Sequence, residues 1–237
     1  MYCKSIEAPL TLGHMKAKDV ELPNYTATQE LWNALSHGAG VVLTLIFGPL
    51  LILKAAQSGD VYAIVGSSLF VFALLCLYTF SCLYHGFRKG TAKKVLRVLD
   101  HDMIFVLIMG TYAPYCLVDL RSTPFWFWSV FGSCIALGIL GIVLNSCNLK
   151  KFAKFSMVDY ILMGWIIVIS IYPLTVAMKS FFPGVFLLLM GGISYTVGAV
   201  LYGVGKKRSP WWHTVFHVFV LMGTILMFIS LYFNVIP

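Results

Sequence analysis

The chain has 237 residues, of which 59% are hydrophobic and only 11% charged, with 17 Lys and Arg against 9 Asp and Glu. Soluble globular domains carry charge on about a quarter of their residues, so this composition excludes an ordinary water-soluble domain and points to the bilayer. The formal charge of +8 does not argue for nucleic acid, because the excess lies in short polar segments between apolar blocks, where it sets topology and meets anionic lipid head groups.

The chain opens with a polar tail, residues 1–29, too short for a domain. The remainder, residues 30–237, reads as one all-α seven-transmembrane helix bundle. Spanning ~30 Å of hydrocarbon takes roughly 20 apolar residues. Seven blocks qualify: Leu31 to Leu53, Val61 to Tyr84, Met103 to Val118, Phe125 to Leu144, Met157 to Met178, Gly184 to Val204 and Trp211 to Ile236. The third is short and is expected to begin earlier, near Val95. A β-barrel would alternate polar and apolar residues, and a cleavable leader would not be followed by six further blocks. Turn residues mark the breaks at Ser58-Gly59-Asp60, Ser122-Thr123-Pro124, Phe182-Pro183-Gly184 and Ser209-Pro210. The segment NLKKFAKF is expected to be the loop between the fourth and fifth spans.

The basic residues divide unevenly between the two sides. The N-terminal tail and the segments GFRKGTAKKVLR, NLKKFAKF and GKKRSP hold 14, and the opposite side holds only Lys54, Arg121 and Lys179. The positive-inside rule then places the N-terminus in the cytoplasm and the C-terminus outside. The six cysteines form no CxxC pair and read as small apolar packing residues.

Ionisable residues inside spans cost free energy and are site candidates by default. Glu30, Asn33 and His37 share one face at the start of the first span. Ser81 and His85 lie one turn apart near the end of the second. Asp100 lies near the start of the third, in VLDHDMIF, and His213 and His217 lie four apart at the start of the seventh. Given the orientation, all fall within a few turns of the cytoplasmic surface, and the outer ends have no comparable group. Three histidines at one depth with a carboxylate nearby suit zinc: three protein ligands leave a position for water, whose pKa falls to about 7. Asp100 could take that water's proton, and Ser81 could donate to a substrate carbonyl or orient a ligand. The plainer readings are that Ser81 packs helices, Glu30 answers the helix dipole and the HxxxH pair faces neighbouring helices. His101, Asp102 and Asp159 border the inner loops and read as solvated.

Together these motifs, with L-D-H at Leu99 to His101 and G-T-Y-x-P at Gly110 to Pro114, resemble the hemolysin III branch of the progestin and adipoQ receptor family over nearly the whole chain from Glu30. The resemblance implies a seven-helix fold with its N-terminus inside. It also implies a zinc held by His85, His213 and His217, with Asp100 on the zinc-bound water, Ser81 beside it, and Glu30, Asn33 and His37 around the ligands. Relatives resemble lipid amide hydrolases, so the expected activity is hydrolysis of a lipid amide or ester, with a membrane lipid entering from the bilayer. The alternatives are a pore-forming cytolysin or a lipid receptor, with zinc structural. Asp102 departs from the family pattern and could compete with Asp100 for water or metal. The short tail and compact loops fit a bacterial protein of the inner membrane.

Overall fold

The computed structural model describes residues 19–179 and 181–237. The first eighteen residues of the expected tail, including Cys3, Lys4, Lys16 and Lys18, lie outside the described residues. Among the described residues there is no strand. Six helices are long and apolar enough to cross a membrane: α1 (Ala27–Gln57), α2 (Val61–Gly86), α3 (Thr91–Leu120), α4 (Pro124–Ala177), α5 (Phe181–Gly205) and α6 (Trp211–Val235). The chain is thus an integral, multi-pass membrane protein.

Local chemistry accounts for the helix ends. Thr26 and Gln29 form a reciprocal capping box ahead of α1, and the Asp60 side chain accepts from Tyr62 N at the start of α2. As expected, α3 begins before the apolar block. Its first two turns hold the basic residues of the preceding segment, which are good helix formers.

The largest departure is in α4. A straight helix of its 54 residues would be about 80 Å long, far more than any bilayer. It is not straight. Asn148 has extended backbone (φ −163°, ψ 93°). Ser156 Oγ donates to Asn145 Oδ1 at 2.6 Å, and Asn145 Nδ2 donates to Tyr160 Oη at 3.3 Å. In a continuous helix these partners would be roughly 16 and 22 Å apart along the axis, so the chain folds back at Asn148. The expected loop NLKKFAKF is instead helical on both sides of that single residue. Lys, Ala and Leu favour helix, and one broken residue suffices to reverse the chain. Both ends of α4 meet at one end of the bundle, where Trp126 and Tyr172 line a common pocket.

The helices close into a ring: α1 packs on α2, α2 on α3, α3 on α4, α4 more sparsely on α5, α5 on α6, and α6 returns to α1. Lipid offers no hydrophobic drive between helices, so close approach of small residues supplies the packing. A Cβ on Gly66 of α2 would lie 2.7 Å from Pro114 Cα of α3, and one on Gly110 would collide with Ala73 Cβ. The outward face is apolar, with Phe72 60% and Phe233 70% exposed, as a hydrocarbon solvent requires. The five described cysteines are free.

At the end opposite the histidines, Lys54 Nζ donates to the Tyr232 and Ile236 carbonyls at 2.6 Å each, closing the C-terminus of α6. Arg121 pairs with Asp60 at 2.7 Å. Replacing Gly110 by Leu should wedge α2 from α3 and cost about 1–3 kcal/mol, read as a lower melting temperature in detergent. Gly203→Leu, whose Cβ meets nothing within 4 Å, should leave it unchanged.

Candidate metal centre

The start of α1, the end of α2 and the start of α6 converge on three buried histidines. One ring nitrogen from each of His85, His213 and His217 lies within 4.8 Å of the others. His85 Nε2 and His213 Nε2 are 3.1 Å apart, and the rings of His213 and His217, one helical turn apart, are centred 4.5 Å from each other. Among the described residues this is the group able to hold a metal ion.

The other ring nitrogens decide what these histidines can present. His85 Nδ1 lies 2.7 Å from Glu30 Oε2, and the second oxygen of Glu30 pairs with Lys93 Nζ at 2.9 Å. A carboxylate flanked by an ammonium accepts and does not donate, so His85 Nδ1 carries the proton and Nε2 is bare. His217 Nδ1 lies 3.0 Å from Ser36 Oγ and 3.2 Å from the Asn33 carbonyl. The Ser36 hydroxyl already donates to that carbonyl at 2.9 Å, so its oxygen accepts from His217, and His217 Nε2 is bare as well. Two lone pairs are thus left free at the three-histidine group. His213 Nδ1 is buried with no hydrogen-bond partner among the described residues. Two of the three ligands, His85 and His217, are fixed through the far nitrogen, as metal-binding histidines commonly are, so the residues fit a metal ion.

The residues named around the ligands fall into place unequally. Glu30 holds His85. Asn33 holds His217 through its carbonyl and accepts from Thr214 Oγ1 at 2.6 Å through its side chain. His37 makes no hydrogen bond through either ring nitrogen among the described residues. It stacks on His217 with centroids 3.6 Å apart and 14° between planes. Asp100 lies outside the three-histidine group but lines the same cavity as His213 and His217, with His101 Nδ1 at 3.7 Å. Ser81 is fully buried, with an unpartnered hydroxyl among the described residues, and is not part of the cavity wall. Asp102 points away: it accepts from Ser146 on α4 at 2.9 Å, which separates it from the role of Asp100.

Four contributors were not visible in the sequence. Lys93 is buried and also donates to the Tyr84 and Phe87 carbonyls at 2.8 and 3.0 Å, closing α2 while neutralising Glu30. Five basic residues share its stretch, and only the need of Glu30 for a counter-charge could have singled it out. Ser36 and Thr214 lie on the same helical faces as Asn33 and His217, a spacing signal present but unread. Tyr25, ahead of α1, stacks on His213 at 5.6 Å, and Val20 is buried, so residues 19–26 lie against the bundle.

A cavity of about 630 Å3 runs from this centre between α3, α4, α5 and α6. Its deep walls are apolar, with Ile104, Leu107, Ile161 and Val220. Polar side chains of Arg97, Asn145 and Tyr160 also line it. Its size lies in the range of small-molecule sites.

Two comparisons bear on this arrangement. The chain is 36% identical over 209 residues to "Hemolysin-3" of Bacillus cereus, covering 88% of this chain and 93% of that protein. It is 37% identical over 209 residues to the "Hemolysin-3 homolog" of Bacillus subtilis (strain 168), covering 88% and 95%. The family model described as "Haemolysin-III related" matches residues 25–228, a span that begins at Tyr25 and takes in all three histidines, Glu30, Lys93 and Asp100. The chain belongs to the haemolysin-III related family of membrane proteins.

Proposed function

We propose that this protein is a zinc-dependent intramembrane hydrolase of a lipid amide or ester. The observation that carries the reading is the convergence of His85, His213 and His217, one ring nitrogen of each within 4.8 Å of the others, with Nδ1 of His85 and His217 engaged elsewhere. Zinc is the favoured ion because three neutral imidazoles and an open fourth position are its catalytic donor set. A zinc ion held there would polarise a carbonyl as a Lewis acid and make water a nucleophile near neutral pH.

The chain's own residues do the rest. Glu30 and Lys93 keep His85 in one tautomer. Asn33 and Ser36 do the same for His217. Asp100, at the cavity wall, accepts the proton of the attacking water and returns it to the leaving group. Ser81, expected to help hold the oxyanion, is sealed away from the cavity wall and takes no part in the proposed step. The apolar walls exclude bulk water and receive the acyl chain.

The bundle is proposed to cross the membrane seven times, with the N-terminus in the cytoplasm and the C-terminus outside, in a bacterial inner membrane. Supporting this are the reversal at Asn148, the meeting of the two ends of α4 and the 14 against 3 split of basic residues. Of the three outer cations, Lys54 and Arg121 are engaged in structural contacts. A single cysteine at Ser58 should react with an impermeant maleimide from outside intact cells, and one at Lys151 only after permeabilisation. The reverse pattern overturns the orientation.

Metal analysis of the purified protein should give about one zinc per chain and none in the His213→Ala/His217→Ala double variant. No metal in a folded parent purified without chelator refutes the centre. Glu30→Gln keeps the shape but loses the charge that fixes the His85 tautomer, and should weaken metal affinity roughly 10–100-fold. Asp100→Asn should retain zinc and lower hydrolysis of a lipid amide at least ~100-fold. Unchanged turnover removes Asp100 from the mechanism. Release of an encapsulated dye from vesicles with no hydrolysis would favour the lytic activity that the relatives' names denote.

A further inference from the structure

The wall of the large cavity contains one cation with no apparent task. Arg97, one turn before Asp100 on α3, lines the cavity together with Asp100, His213 and His217. Its Nε is sealed from solvent and has no hydrogen-bond partner among the described residues. Its guanidinium is in none of the ion pairs found there. The acids near this end of the cavity are otherwise placed: Glu21 pairs with Lys150 at 2.6 Å, Asp100 faces His101 at 3.7 Å, and Asp19 is exposed. Of the other two basic residues of this wall, Lys150 is paired with Glu21 and Lys206 sits 5.3 Å from the centre of the Tyr202 ring.

A buried N–H without a partner costs free energy. A guanidinium stays charged at every relevant pH and presents a planar fork that matches carboxylate or phosphate. Beyond it the cavity becomes apolar, along Ile104, Leu107, Ile161 and Val220. Charge at one end and hydrocarbon beyond is the complement of a single-chain amphiphile with an anionic head.

We propose that Arg97 is the anion-recognising residue of this cavity, selecting a single-chain amphiphile with a carboxylate or phosphate head over a neutral one. The proposal rests on the reading of this cavity as the substrate site, and it names the class of molecule that enters. Arg97 acts here by binding and positioning; the reacting groups remain those beside the histidines.

Three probes of one chain length test it by thermal stabilisation of the purified protein: palmitate, palmitamide and 1-palmitoyl lysophosphatidate. Palmitate and palmitamide differ essentially in charge. The parent should bind the anions at least ~10-fold more tightly than palmitamide, the scale of one charge-assisted hydrogen bond. The stronger of the two anions identifies the source, a free fatty acid or a lysophospholipid. Arg97→Gln should equalise all three, and Arg97→Lys, which keeps charge but loses the fork, should retain part of the preference. If the parent does not distinguish palmitate from palmitamide, or Arg97→Gln keeps the distinction, the proposal fails.

The His213→Ala/His217→Ala variant separates this from the metal centre. A preference that survives there and disappears in Arg97→Gln assigns the anion to Arg97, even if no metal is ever found. A preference lost with the histidines and kept in Arg97→Gln sends the head group to the histidine centre and overturns the role of Arg97.

Discussion

A neutral histidine always has one bare ring nitrogen, and a partner on the other decides which one it is. The tautomer is set by the groups that face each ring. The 2.7 Å contact between Glu30 and His85 is where that choice is made, and Lys93 is what keeps Glu30 an anion at that depth. An unpaired carboxylate there would be costly. Lys93 balances it while satisfying the free carbonyls at the end of α2. One ammonium thus closes a helix, neutralises a carboxylate and, through it, orients an imidazole.

The rest of the bundle serves that placement. The start of α1 supplies Glu30, Asn33 and Ser36, and the last helix supplies His213, Thr214 and His217. Contacts between them at the histidine end, and the Lys54 bonds to α6 at the other end, fix α1 and α6 over most of their length. Packing of α2 on α3 then sets His85 and Asp100 at one level. The cavity opens from the histidines and continues between α3 and the helices that follow it. The histidines are thus anchored through α1 and α6 beside an open volume.

Much of this was legible in the sequence because membranes make polarity conspicuous. His85, His213, His217 and Glu30 stood out among apolar neighbours, and the distribution of lysine and arginine placed them at one depth before any contact was known. What could not be read were features whose signals are shared with many other residues. Lys93 is one of five cations in a short segment, and only its burial distinguishes it. Asn148 reverses α4 while its flanks keep helix-forming composition, so hydropathy and turn residues suggest a loop where one dihedral break suffices. Ser81 had spacing in its favour, yet a helix face says nothing about whether a hydroxyl reaches a cavity. Asp102, two residues from Asp100, turns to Ser146 because successive helical positions point some 100° apart.

The His85–His213 contact joins residues 128 positions apart, and that separation has a consequence for biogenesis. During synthesis, α1 to α5 enter the membrane before the last two ligands exist. Until α6 inserts, Glu30, Asn33 and His85 form an unfinished polar notch in the side of the bundle. A chain that stalls or is cut before Trp211 keeps His85 alone of the three, and so cannot retain an ion through this triad. Completion of the triad therefore requires that the chain has been made at least through His217 and that α6 has packed against α2.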